Sequence, residues 1–249
     1  MSGSIPQVGQ FIASRYELTR LIGRGGFATV YEAVDEAVGG KVAVKILHQE
    51  GDTTAQLVER FQQEAYLIRG LLHPNTIKVT DVGQTESGHF YMVQEYLEGE
   101  TLDRFAYSQG GLSAERIVHI MDQVLRSVAE AHAKGIVHRD LKPENVMIIN
   151  MSGEQDFVKV LDFGIAKPLD TEVAKAHTRT GMVFCTPKYA PPEVLIGKDI
   201  YPTADVYSLG IMFIELLAGH PPFEAASEAE LVAFQISPKP VPLNPSWGG

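Results

Sequence analysis

Within Asp140-Leu-Lys142-Pro-Glu-Asn145 the chain places a carboxylate, an ammonium and a carboxamide in one short predicted loop. Gly135 precedes this loop and an apolar run, Val146–Ile149, follows it. Loops held on rigid scaffolds carry reactive groups disproportionately, so this spacing suits catalysis better than an ordinary polar turn. A second apolar strand, around Val158, ends in Asp162-Phe163-Gly164. Asp162 and Asn145 then offer oxygen ligands from neighbouring strand ends, which suits Mg2+ held jointly with phosphates.

Two features nearer the N-terminus point the same way. Gly23-Arg24-Gly25-Gly26-Phe27-Ala28 lies between two predicted strands. Glycines there let backbone amides approach phosphate oxygens with no Cβ in the way, although a plain tight turn has the same composition. β-Branched residues continue after the turn, which excludes the strand–turn–helix of a dinucleotide-binding fold. Lys45 ends the apolar strand Val42-Ala43-Val44-Lys45, and alternation puts it on the face of Ala43. A solvated strand edge would also explain a lysine there. Glu64, however, shares the apolar face of a predicted helix with Phe61 and Ile68, where a carboxylate is costly unless paired. Lys45 is the expected partner, with Arg60 or Arg69 as peripheral alternatives.

The elements that must position these groups fall into two parts. Tyr16–Ile22, Thr29–Val34, Lys41–Leu47, Ile77–Val82 and Phe90–Glu95 read as strands. Among them a helix is marked by Leu57, Phe61, Ala65, Ile68 and Leu72 and ended by His73-Pro74-Asn75. Later, Ser113 caps a helix with an apolar face of Ile117, Ile120, Met121, Val124, Leu125 and Val128. Another helix runs from about Thr203 to Leu217 and closes at Gly219. The boundary is expected near Tyr96–Thr101, with Gly99 as a flexible hinge and a ligand cleft between the two parts.

Composition narrows the class. The chain has 249 residues, is 45% hydrophobic and 21% charged, and carries a formal charge of −10. Nucleic acid is an unsuitable main partner for such an acidic chain. One cysteine, Cys185, excludes an internal disulfide and a cysteine-built zinc site, and fits a reducing compartment. No signal-peptide pattern opens the chain, and its longest apolar stretch, Leu209 to Ala218, is too short to span a bilayer. A cytoplasmic protein is expected.

Taken together, these motifs resemble the eukaryotic-type (Hanks-type) serine/threonine protein kinases, and especially their bacterial branch, from about Tyr16 to Gln235. The resemblance implies an α+β, two-lobed fold with an antiparallel five-stranded sheet plus one helix, then a mainly helical lobe. It divides the chain into an extension (1–15), an N-lobe (16–98), a C-lobe (99–236) and a Pro-rich tail (237–249). It implies that Gly23, Gly25 and Gly26 cover the phosphates of ATP, and that Lys45, steadied by Glu64, holds the α- and β-phosphates. By the same resemblance, Ile22, Val30, Ala43 and Met147 surround the nucleotide. Glu95 and Leu97 bond adenine behind a gatekeeper, Gln94. Asp140 orients and deprotonates the acceptor hydroxyl, Lys142 neutralises the transferred group, and Asn145 and Asp162 bind Mg2+, with Mn2+ as a substitute. Thr178 and Thr180 are implied autophosphorylation sites that Arg139 would recognise, and Thr186 lines the acceptor site. Ile68, Val79, His138 and Phe163 would stack as a spine anchored by Asp205. Protein serine or threonine hydroxyls are the implied substrates, with a homodimer for phosphorylation in trans.

The sequence also departs from that pattern. Ala28 replaces a third loop glycine, Cys185 precedes Thr186-Pro187, and Pro191-Pro192-Glu193 replaces Ala-Pro-Glu. The last helices of the family, with an arginine for Glu193, have no counterpart here. An ATP-binding scaffold that needs a partner to complete its C-lobe is therefore the alternative to an active enzyme.

Overall fold

The computed structural model describes residues 5–25, 28–48, 65–151, 153–163 and 187–237. By its internal contacts the chain forms two compact units. One comprises residues 1–72 and 76–98, and the other residues 73–75 and 99–249.

The first unit is built on one antiparallel sheet of six strands, in the order β1-β2-β3-β4-β6-β5. These are β1 (Phe11–Ile12), β2 (Tyr16–Arg24), β3 (Ala28–Asp35), β4 (Lys41–Leu47), β5 (Val79–Gln84) and β6 (Phe90–Glu95). The sixth strand was not expected. It is the two-residue β1, which pairs with Tyr16 and Glu17 and is too short to leave a period in the sequence. Strand β5 also starts later than expected. Lys78 N–H donates to the Glu95 carboxylate and its carbonyl accepts from Glu95 N–H, so Ile77 and Lys78 precede the regular ladder.

Period-two alternation gives this sheet two different faces. Ile12, Tyr16, Leu18, Tyr31, Ala33, Val44, Ile46, Tyr91 and Val93 form a buried cluster on one side. Helix α1 is described over residues 65–69, with Ala65 and Ile68 buried.

In the second unit, β7 (Gly99–Thr101), β8 (Val146–Met151) and β9 (Glu154–Val160) form a three-stranded sheet in that order. The helices are α2 (Leu102–Ser108), α3 (Ala114–Ala133), α4 (Pro192–Leu195), α5 (Pro202–Ala218) and α6 (Glu228–Ile236). The apolar face expected for α3 is buried at Ile117, Ile120, Met121, Val124 and Val128, whereas Leu125 is exposed. The Ser113 hydroxyl caps α3 through Arg116 N–H at 3.4 Å. Helix α5 ends at Gly219, whose φ of 75° is the left-handed cap that glycine adopts without strain.

Gly99 is a correction. It lies within β7, and a Cβ there would run into the Ile148 carbonyl oxygen of β8. Close strand approach, not a flexible hinge, is what this position requires.

Candidate functional site

In the second unit the loop before β8 brings three expected groups together. Asn145 sits in a single 3-10 turn, Pro143–Asn145, opened by a proline whose fixed φ favours that turn. Its Nδ2 donates to the Asp140 backbone carbonyl at 2.8 Å and to Asp140 Oδ2 at 3.1 Å. Lys142 Nζ lies 3.4 Å from the same Oδ2. An ammonium and a carboxamide thus converge on one carboxylate oxygen.

The backbone around them is held in costly conformations. Arg139 and Asp162 have φ of 66° and 50°, the left-handed region that non-glycine residues avoid. Asp205, at the start of α5, holds the first of these. Its Oδ1 accepts from Arg139 N–H and its Oδ2 from His138 N–H, both at 2.8 Å, while His132 Nε2 lies 2.7 Å from Oδ2. Its side chain is 1% exposed, so its carboxylate depends on these protein partners rather than on water.

His138 is fully enclosed and serves structure. Its Nδ1 accepts from Asp140 N–H at 3.3 Å, so its Nε2 carries the proton given to the Leu161 carbonyl at 2.7 Å. Burial holds this imidazole below the ordinary histidine value, outweighing the nearby Asp205 charge. Its ring packs on Phe163 with centroids 4.5 Å apart. Of the expected spine, then, His138 and Phe163 pack together in this unit, with His138 held by Asp205, and Ile68 and Val79 are both buried in the other.

Asp162 directly follows Leu161, whose N–H donates to the Asn145 carbonyl at 2.8 Å. Both Nδ2 protons of Asn145 are spent on Asp140, which leaves its Oδ1 as the donor atom for a cation. Carboxamide and carboxylate oxygens from Asn145 and Asp162 are hard ligands that fit Mg2+. Among the described residues no group of three or more His, Cys, Asp and Glu side chains could hold a metal ion. Two side chains cannot fill the shell of such a cation, so one held by Asn145 and Asp162 would take further oxygen ligands.

The first unit gathers the other expected residues on the second face of its sheet. Gly23 pairs with Val30, Val30 with Lys45, Ala43 with Gln94, and Gln94 with Val79. Cross-strand partners share a face, so Gly23, Val30, Ala43, Lys45 and Gln94 lie on one surface, opposite the buried cluster. Gly25 N–H closes the hairpin onto the Ala28 carbonyl at 2.9 Å. Gln94 is nearly buried and its Nε2 reaches Met92 Sδ at 3.2 Å. Ile22 is 45% exposed beside a register shift in β2. Glu95 ends β6 and Leu97 follows it, while Met147 lies on β8 of the second unit, paired with Thr101. Gly26, Glu64, Thr178, Thr180, Cys185 and Thr186 lie outside the described residues.

Two polar networks escaped sequence reasoning. Asn75, read there only as a helix terminator, bonds β9 and Gln123 of α3. Glu215, noted only as an interruption of an apolar run, binds Lys188 Nζ at 2.6 Å and accepts from Tyr189 Oη at 2.7 Å. Burial and that carboxylate push the Tyr189 phenol well above its ordinary range. A charged residue inside an apolar helix was the available signal, because such a charge needs a partner.

Comparison with known proteins agrees with this geometry. The protein kinase domain family matches residues 16–242. The serine/threonine-protein kinase pkn3 of Myxococcus xanthus is 39% identical over 94% of the chain and 43% of its own length. The serine/threonine-protein kinase PknA of Mycobacterium tuberculosis is 39% identical over 96% of the chain and 55% of its own length. The chain thus spans about half the length of these relatives. The crystal structure of the Mycobacterium tuberculosis PknI kinase domain superposes with a TM-score of 0.69 at 25% identity, covering 90% of this chain and 81% of that one. The sequence motifs, the fold and these matches together establish that the chain belongs to the protein kinase domain family, in its bacterial serine/threonine branch.

Proposed function

We propose that this chain transfers the γ-phosphoryl group of Mg-ATP to serine or threonine hydroxyls of proteins. Membership of the family implies ATP and a divalent cation; the choice of Mg2+, with Mn2+ as a substitute, is ours and follows from the oxygen-only donors. The observation that carries the reading is the convergence of Lys142 Nζ and Asn145 Nδ2 on Asp140 Oδ2.

The reaction breaks the bond between the γ-phosphorus and its bridging oxygen, forms a bond to the acceptor oxygen and releases ADP. Asp140 orients the acceptor hydroxyl and takes its proton. Lys142 offsets charge on the phosphoryl oxygens in flight, and Lys45, with Glu64 as its counter-ion, holds the α- and β-phosphates. Backbone amides of Gly23, Gly25 and Gly26 contact phosphate oxygens. The cation, when bound through Asn145 and Asp162, supplies positive charge to those oxygens. Val30, Ala43, Ile22 and Met147 enclose the base, with Gln94 as gatekeeper and Glu95 and Leu97 as its hydrogen-bonding segment. Within this reading Thr178 and Thr180 are autophosphorylated in trans by a second copy, Thr186 lines the acceptor site, and the domain works in the cytoplasm. Among the described residues no helix is long and apolar enough to cross a membrane. The scaffold alternative has no support from relatives that are themselves named as kinases.

The test is phosphate incorporation from γ-labelled ATP into a generic basic protein. Label on serine or threonine, lost on chelation of the cation and in Lys45→Met, is expected. Equal labelling by Lys45→Met would contradict the reading.

A further inference from the structure

We infer that Gln123, to which no role was assigned above, is a positioning residue: it fixes the strand that delivers Asp162. The inference deepens the kinase reading and rests on it.

Strand β9 is an edge of its sheet, pairing with β8 on one side only. The backbone groups on its other edge need partners, because Val158 and Val160 are wholly buried. Among the described residues no strand supplies them. Gln123 Oε1 accepts from Val158 N–H at 3.0 Å, and its Nε2 donates to the Asp156 carbonyl at 2.9 Å. Asn75 completes the edge. Its Nδ2 donates to the Val158 carbonyl at 2.8 Å and to Gln123 Oε1 at 2.9 Å, and its own carbonyl accepts from Val160 N–H at 2.7 Å. Two side chains and the Asn75 backbone carbonyl thus do the work of a neighbouring strand. The amide orientation of Gln123 is fixed, because one end faces two N–H donors and the other a carbonyl.

The chain leaves this clamp at Val160 and reaches Asp162 two residues later, in its left-handed conformation. On the other side, Leu161 is tied to Asn145 and His138. Asp162 is therefore located from two directions, and the hydrogen bonds of Gln123 go to Asn75, His119 and the β9 backbone. Such supporting hydrogen bonds matter because a ligand is only as well placed as the backbone that carries it.

Gln123 and Asn75 also border an open cavity of about 740 Å3, lined in addition by His73, Arg116 and His119. Shape-conserving replacement of Gln123 is thus accommodated without a clash in a closed core. Gln123→Met keeps the length of the side chain and removes its hydrogen bonds. In nucleotide-free protein, we expect hydrogen exchange at Val158 and Val160 to rise about fivefold. In a Mg2+ titration with ATP and a peptide acceptor, kcat should fall about tenfold and the half-saturating Mg2+ concentration should rise, with the peptide KM unchanged. Unchanged exchange at both amides would overturn the clamp whether or not the wild-type chain transfers phosphate. Loss of activity that tracks the unfolding midpoint, with an unchanged Mg2+ requirement, would reduce Gln123 to a structural residue and overturn the positioning role. A wild-type chain without phosphoryl transfer would instead refute the kinase reading itself.

Discussion

At the scale of single residues, the groups proposed to do chemistry are few and their supports are many. Asp140 is placed by Asn145 and Lys142, and the loop that carries it is held by Asp205 through two backbone contacts, while His132 of α3 fixes Asp205 itself. Removing Asp205 would leave the buried His138 amide and the part-buried Arg139 amide without acceptors and the Arg139 backbone unsupported. Each orphaned buried donor costs about 1–3 kcal/mol, so Asp205→Ala is expected to lower stability by about 3 kcal/mol. A urea midpoint indistinguishable from wild type would show that the loop holds itself. The reactive types were legible in the sequence because their spacing is particular. The supports were less so: Asn75 and Gln123 are ordinary polar residues whose roles depend on which strand edge the fold presents to them.

At the scale of elements, strong periods were read correctly and short elements were missed. The α3 helix and the long strands of the first sheet announce themselves through repeated apolar faces and turn glycines. Strands β1 and β7 span two and three residues, too few to show alternation, and exist because a neighbouring strand offers unpaired groups. Gly99 illustrates how composition misleads, since a glycine at a boundary suggests a hinge until its neighbour is known. Gly99→Ala should push β7 from β8 and cost about 1–3 kcal/mol, as overpacking of a tight contact does. Thermal denaturation checks this, and a midpoint at or above wild type would mean that the strands separate freely.

At the scale of the whole molecule, the charge of −10 and the buried histidines set the response to pH. Burial lowers the values of His89 and His138, so both take up a proton at lower pH in the folded chain than when it unfolds. Between its lowered folded value and its ordinary value of about 6.5, the unfolded state binds more protons, and stability must fall as pH drops through that window. The carboxylates of Asp35 and Asp156, lowered by Arg15 and Arg116, lose their contribution only at more acidic pH. A lower urea midpoint at pH 5.5 than at pH 7.5 is therefore expected, and equal midpoints would argue against neutral buried imidazoles. The central claim concerns phosphoryl transfer, and Asp140→Asn tests it most directly, because that change keeps size while removing the proton acceptor. With nucleotide affinity measured alongside, transfer from γ-labelled ATP should drop about 1,000-fold while ATP still binds. Transfer at the wild-type rate by the Asp140→Asn chain would contradict the account.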